Sequence, residues 1–404
     1  MTTTRGEEML ALRRTRMAAA PPILRGGFRP FFFLGPLWAV IALALWLANL
    51  AGSLTLPSAF EPLIWHRHEM LFGFVGAIIA GFLLTAIPNW TGRLPIAGWP
   101  LAGLAALWAA ARLAVLFSAE TGMVVAAILD VGFYIVLAGL AGREVLAAKN
   151  RNLPIVAIVL LLGIANAADH AGAAGLLGDR DIGVRGAIAL IVMAIALIGG
   201  RIIPSFTRNW MTKQGITNRL PAQPTRLDLA VLGMTGIALL AWTAMPDPVP
   251  TGWLLVAAGF GQALRLSRWG GLRCARDPLV LILHIGYLWV PVGLALLGGN
   301  ILDLTLPRSA AIHALTAGAM ATMILAVMTR ATLGHTGREL VAGPPTILLY
   351  GLVTIGAMLR VAASLGVIDY GIGLDVAGIA WVGAFILFLA FYGPILFRPR
   401  LGES

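Results

Sequence analysis

Charge is scarce in this sequence. Asp, Glu, Lys and Arg make up 12% of its 404 residues, while 59% are hydrophobic and the mean hydropathy is +0.88; soluble domains carry about 25% charged residues. That balance excludes a water-soluble globular domain and makes the bilayer the solvent and the main partner. Cysteine is nearly missing. Cys274 alone cannot form an internal disulfide or a CxxC pair, and with no ligand residue near it in sequence it reads as a loop residue. Absent too are a glycine-rich phosphate loop, a nucleophile elbow and a paired His-Glu zinc helix, so those hydrolytic chemistries find no motif here.

The first 20 residues carry Glu7, Glu8, Arg13, Arg14 and Arg16 and no long apolar core, so a cleavable signal peptide is not expected. Residues 1–25 read as a retained cytoplasmic tail and 26–404 as a single transmembrane domain. In a soluble protein the net charge of +11 would raise nucleic-acid binding. Here the cations sit between apolar runs and have a topological use, so no nucleic-acid partner is expected.

A helix needs about 20 apolar residues to cross about 30 Å of hydrocarbon. That window fits near 31–52, 66–88, 98–117, 122–143, 154–173, 185–204, 228–245, 251–267, 278–298, 309–330, 345–366 and 373–396. The predicted fold is therefore an all-α polytopic membrane protein of about twelve transmembrane helices. Prolines such as Pro57, Pro154, Pro278, Pro344 and Pro345 fall near predicted starts or in connections, where a missing N–H costs little.

Cations test the count independently, because Lys and Arg are retained in the cytoplasm. With twelve spans both termini share a side. The opposite side keeps Arg180, Arg185 and Arg308, with Arg67 at the mouth of the second span and Arg112 and Arg360 inside spans. All others of the 29 Lys and Arg residues then fall on the terminal side. One missed helix would scramble that bias, so twelve spans with both termini cytoplasmic is the expected topology.

Two of the spans resemble each other. The second contains His68-EMLFGFVGAIIAGFLLTAIPNWTGR ending at Arg93, and the tenth His313-ALTAGAMATMILAVMTRATLGHTGR ending at Arg338. Each runs 25 residues from its histidine to its arginine (68 to 93, 313 to 338), places glycine five positions after the histidine (Gly73, Gly318) and closes on Thr-Gly-Arg. The sixth span ends in Arg201-IIPSFTR, with Val184 where the others have histidine. Spans 2, 6 and 10 thus stand in corresponding places of three four-helix pseudo-repeats.

The six histidines are His66, His68, His170, His284, His313 and His335. Spans 2 and 10 enter from the non-cytoplasmic side and span 5 runs toward it. At about 1.5 Å per residue, His66, His68, His170 and His313 therefore share one level. A lone histidine there reads as an interface residue hydrogen-bonded to backbone or headgroups. His68 and His313, matched in spacing and depth, read as ligands, since imidazole suits haem iron, copper or zinc. His66 and His68 point to different sides of one helix, so one faces a centre shared with His313 and the other a second ligand or a carboxylate such as Glu69 or Asp169. His66, Arg67, His68 and His313 are the candidate cofactor-binding residues. His66, His68, His170, His284 and His313 are the candidate metal ligands, with His284 deeper in its span. His335 falls in a cytoplasmic loop.

The segments WHRHEMLFGFVGAIIAGFLLTAIPNWTGR (65–93), GGRIIPSFTRNWM (199–211), AIHALTAGAMATMILAVMTRATLGHTGR (311–338) and GGFRPFF (26–32) resemble the NnrS family, from about residue 26 to the last helix. The resemblance implies a multispan bacterial inner-membrane protein containing haem b and copper, associated with nitric oxide metabolism and protection from nitrosative stress. It implies a small gaseous or nitrogen-oxide ligand and leaves the electron donor unspecified. The three-arc, twelve-helix plan with histidine on helices 2 and 10 is also similar to the catalytic subunit of haem-copper oxidases, where the low-spin haem hangs between those helices. The copper-ligand pattern of that superfamily, a histidine on helix 6 and a His-His pair on helix 7, is absent, which argues against an oxygen-reducing site.

Two readings follow. One is a haem protein with copper that binds nitric oxide or a related nitrogen species, or acts on it as an oxidoreductase. The other is a polytopic transporter whose histidines line a substrate or proton route. Both need the twelve-span topology. Reporters fused after Asn150, Gly215, Ala275 and Leu340 should read cytoplasmic, and those after Pro57, Leu177, Asp247 and Asp303 external; two or more reversed reporters would defeat it.

Overall fold

The computed structural model describes residues 11, 15, 19–150, 152–221 and 223–402. The tail charges Arg5, Glu7, Glu8, Arg13, Arg14 and Arg16, and also Arg151, lie outside them. Among the described residues there are helices and no strands. Twelve long helices occupy the predicted windows: α1 Phe28–Leu50, α2 Pro62–Thr91, α3 Trp99–Leu116, α4 Met123–Ala147, α5 Leu153–Ala173, α6 Ile182–Lys213, α7 Arg226–Ala244, α8 Val249–Ser267, α9 Pro278–Ile301, α10 Arg308–His335, α11 Pro344–Ser364 and α12 Tyr370–Leu396. Prolines start α2, α9 and α11, and α7 carries a Thr225–Asp228 capping box.

Eleven of these helices are long and apolar enough to cross a membrane. The remaining one, α8, carries Gln262 and Arg265, both buried. Helices α6 and α10 run past their predicted ends to Lys213 and His335. Hydropathy marks where an apolar stretch stops, whereas the backbone continues helically into the basic ends. His335 is consequently the last residue of a helix and not a loop residue; its ring packs 5.5 Å from that of Phe28.

Helices α2 and α10 share a backbone feature that their letters only hint at. Each contains a seven-residue π-helical segment beginning one position after its histidine, Glu69–Val75 after His68 and Ala314–Met320 after His313. Such segments arise where an extra residue is accommodated in an α-helix, and they recur at functional sites. Gly73 and Gly318 lie inside them. A Cβ on Gly73 would sit 2.5 Å from Glu69 Oε2 and 2.8 Å from an Arg112 nitrogen, and one on Gly318 would sit 2.5 Å from the Trp289 ring. The segment in α2 also receives side-chain donors, Tyr134 Oη–H on Phe72 O at 2.8 Å and Trp108 Nε1–H on Gly73 O at 3.0 Å. Helix α6, with Val184 in place of the histidine, is α-helical throughout.

The chain forms two compact units. Unit 1 comprises Met1–Ala187, His335–Arg338 and Leu389–Ser404. In it α1 packs on α2, α2 on α4, and α4 on both α3 and α5. Its two ends are tied by Arg29, a buried side chain at the start of α1 that donates to the carbonyls of Leu396 and Arg398 at 2.7 Å each. Phe33 meets Phe397 beside that contact.

Unit 2 comprises Ile188–Gly334 and Glu339–Phe388. Here α8 lies between α7 and α9, and Arg265 explains how so polar a helix is accommodated. Its guanidinium pairs with Asp228 at 3.1 Å and donates to Gln262 Oε1 and Tyr287 Oη, each at 2.9 Å, and to Ala196 O at 3.2 Å. Gln262 in turn donates to Thr235 Oγ1 at 2.8 Å. Arg265→Met removes the hydrogen bonds to Asp228, Ala196 O, Gln262 and Tyr287, while Asp228 keeps Arg268 at 3.1 Å, so it should destabilise unit 2 by about 1–3 kcal/mol. Thermal unfolding in detergent should show this as a lower midpoint; an unshifted variant would deny the network its structural role.

Candidate metal centre

In unit 1 three apolar helices bring chemistry-bearing side chains to one point. His68 closes the first α-helical part of α2, Asp130 lies in α4, and Asn166, Asp169 and His170 lie on adjacent turns of α5. All five are buried, with His68, Asp130, Asn166 and Asp169 fully so. Asp130 Oδ2 is the hub. It lies 2.8 Å from His68 Nε2 and 3.2 Å from His170 Nε2, and accepts a hydrogen bond from Asn166 Nδ2 at 2.8 Å. The other oxygen of Asp130 pairs with Arg112.

Arg112 holds a second carboxylate as well, Glu69 Oε2 at 2.8 Å, which also accepts from Trp38 Nε1 at 2.5 Å. His68 Nδ1 lies 2.8 Å from Asp169 Oδ2. Beyond it Arg67, half-buried, stands 3.8 Å from Asp169 Oδ1 and 2.6 Å from Asp181, whose side chain reaches solvent. The rings of Phe60 and Phe72 close the apolar side of the cluster. Phe60 lies 5.2 Å from His68 and 5.3 Å from His170, and Phe72 lies 5.1 Å from His68.

Counting donors shows what this arrangement is suited to hold. A neutral imidazole has one N–H, yet both nitrogens of His68 face carboxylate oxygens. Either a second proton on the ring or a cation shared by His68 Nε2, Asp130 Oδ2 and His170 Nε2 resolves the conflict, the cation leaving Nδ1–H of His68 to donate to Asp169. These three donor atoms lie within 4.8 Å of one another. The His170–Asp130 separation of 3.2 Å falls within the edges of about 2.9–3.4 Å that metal bonds of about 2.0–2.1 Å produce, and the His68–Asp130 separation of 2.8 Å lies just below them. Two imidazoles and a carboxylate suit a divalent transition metal, and a carboxylate behind a ligating histidine is the usual orienting arrangement. His68 does not fit haem ligation here, because neither ring nitrogen is left to face an iron.

The other candidates are placed differently. His66 points away from this cluster and stacks on Trp46 at 4.8 Å. His313, half-buried in unit 2, has Nδ1 2.8 Å from Ser309 O, so Nδ1 carries the proton and Nε2 carries the free lone pair. That nitrogen would be available to hold a haem iron. His284 is buried and its Nε2 meets Thr207 Oγ1 at 2.9 Å. Cys274, expected as an unengaged loop residue, is instead buried in the helical turn Gly271–Cys274 and donates to Gly271 O at 3.0 Å. Burial pushes its thiol up to about 11.

Sequence reasoning missed Asp130 and the role of Arg112. The signal was available, since each is a charged residue in the middle of an apolar span. What the letters lacked was the pairing of their faces.

A model of the family described as NnrS protein matches residues 22–400. No curated protein matches the chain.

Asp169 orients His68 without belonging to the donor set. Asp169→Asn should therefore weaken metal binding at this centre about 10- to 100-fold while leaving the helices folded. Cobalt(II) titration followed by its visible absorption measures this; unchanged affinity would remove Asp169 from the site.

Proposed function

This chain belongs to the NnrS family, and from that premise we propose that it is a metalloprotein of the bacterial inner membrane. In this reading it carries copper at His68, Asp130 and His170 and haem b on His313, and it binds nitric oxide or a related nitrogen species in the response to nitrosative stress. The observation that carries the reading is the convergence of two imidazoles and a carboxylate in a buried part of a membrane protein, where an ionisable cluster is functional by default. When bound, the two groups supply one-electron chemistry and an open coordination position for a diatomic ligand.

The protein's own residues do the rest. Arg112 holds Asp130 and Glu69 in place by direct ion pairs. Phe60 and Phe72 exclude water from the imidazoles, and a small apolar gas reaches such a site through the hydrocarbon more readily than an ion does. Ser309 O fixes the tautomer of His313.

Elemental analysis and an optical spectrum of detergent-purified protein test this. Wild type should contain copper and show a Soret band with sharp reduced-state bands. His68→Ala, Asp130→Ala and His170→Ala should lose copper and keep haem, His313→Ala should lose most of the haem, and His335→Ala should keep both. A folded wild type that is colourless and metal-free would overturn the reading and favour the transporter.

A further inference from the structure

Arg112 and Arg265 are buried arginines and each meets a carboxylate. Arg360, half-buried near the outer end of α11, does not. Its guanidinium donates to Ser364 Oγ at 2.5 Å and Ser309 Oγ at 3.2 Å and lies 5.7 Å from the centre of the Tyr370 ring. Among the described residues no carboxylate forms a salt bridge with it. Hydroxyls orient a guanidinium but do not neutralise it, and an uncompensated cation in a span is expensive.

Three further facts bear on what completes it. Ser309 is shared, its Oγ lying 3.3 Å from His313 Nδ1 and 3.2 Å from Ser364 Oγ. The same end of α10 and α11 has an apolar core of Ala310, Ala314 and Val361, against which Trp289 and Leu365 pack while only partly buried. Tyr370 is more than half exposed. A cation is thus seated on hydroxyls, beside an imidazole and an apolar patch.

We propose that Arg360, with Ser309 and Ser364, is a binding site for a planar carboxylate-type oxyanion. The fork geometry of a guanidinium matches two oxygens of such a group, and the two serines, already engaged with it, hold the fork in place. Two sources carry this chemistry. One is an acidic side chain of a cofactor held on His313, which rests on the haem reading above. The other is a free small anion, which does not.

The test uses the full-length protein in detergent, with formate as the minimal planar carboxylate and chloride at matched ionic strength as control. Arg360→Gln removes the charge and Arg360→Lys keeps it without the fork. If the anion is free, formate raises the unfolding temperature of wild type in a saturable way, and Arg360→Gln binds it roughly 10- to 100-fold more weakly. If the anion belongs to a haem, Arg360→Gln lowers the haem content and the midpoint potential, since a cation is lost beside it, and Arg360→Lys falls between. The proposal is overturned if Arg360→Gln folds and matches wild type in formate response, haem content and midpoint potential. Should Arg360→Gln fail to fold, the Ser309→Ala, Ser364→Ala pair unseats the guanidinium and is read the same way. Copper at His68 is scored in the same samples, so loss of the metal-centre reading and loss of this one remain separate results.

Discussion

A charge taken out of water has to meet its counter-charge, and in unit 1 the Arg112 guanidinium is what makes two buried carboxylates tenable. Glu69 and Asp130 have no exposed surface, and each would cost several kcal/mol to desolvate alone. With Arg112 across both, Asp130 is fixed at one oxygen and free to present the other to His68, His170 and Asn166. Asp169, Arg67 and Asp181 continue the alternation of sign outward to solvent. Even Gly73 follows from this contact, because a methyl group there would collide with the Glu69 and Arg112 pair.

Much of this fold was legible as letters. Hydropathy located the twelve helices, since span length is set by bilayer thickness rather than by tertiary detail. His68 and His170 were singled out by their depth. Their partner Asp130 was not, because the neighbour a carboxylate meets depends on how α4 is rotated about its axis, and that rotation leaves no trace in an apolar sequence. Arg265 shows the same limit from the other side: it lowers the apparent membrane character of α8, yet its charge is fully answered by Asp228. The misplacement of His335 came from reading the end of an apolar run as the end of a helix.

The π-helical segments of α2 and α10 give the internal repeat a physical form. Both begin directly after a histidine and both contain the glycine five positions on. From this common backbone the two helices have diverged. His68 is enclosed by carboxylates, which suits a small cation, whereas His313 keeps one nitrogen tied to a carbonyl and shares Ser309 with a guanidinium that meets hydroxyls. A shared geometry has thus been given two different chemical environments.

The Arg29 contact has a bearing on how the protein is made. Unit 1 is discontinuous in sequence, and the carbonyls that receive the Arg29 side chain belong to Leu396 and Arg398, at the far end of the chain. During synthesis α1 enters the membrane long before those residues leave the ribosome, at about 5–20 residues per second. For that interval, tens of seconds, its arginine lacks these two acceptors. The helix that is inserted first is therefore among the last to be secured, and a chain stopped short of α12 would leave an otherwise assembled unit 1 with an open seam that membrane quality control could recognise.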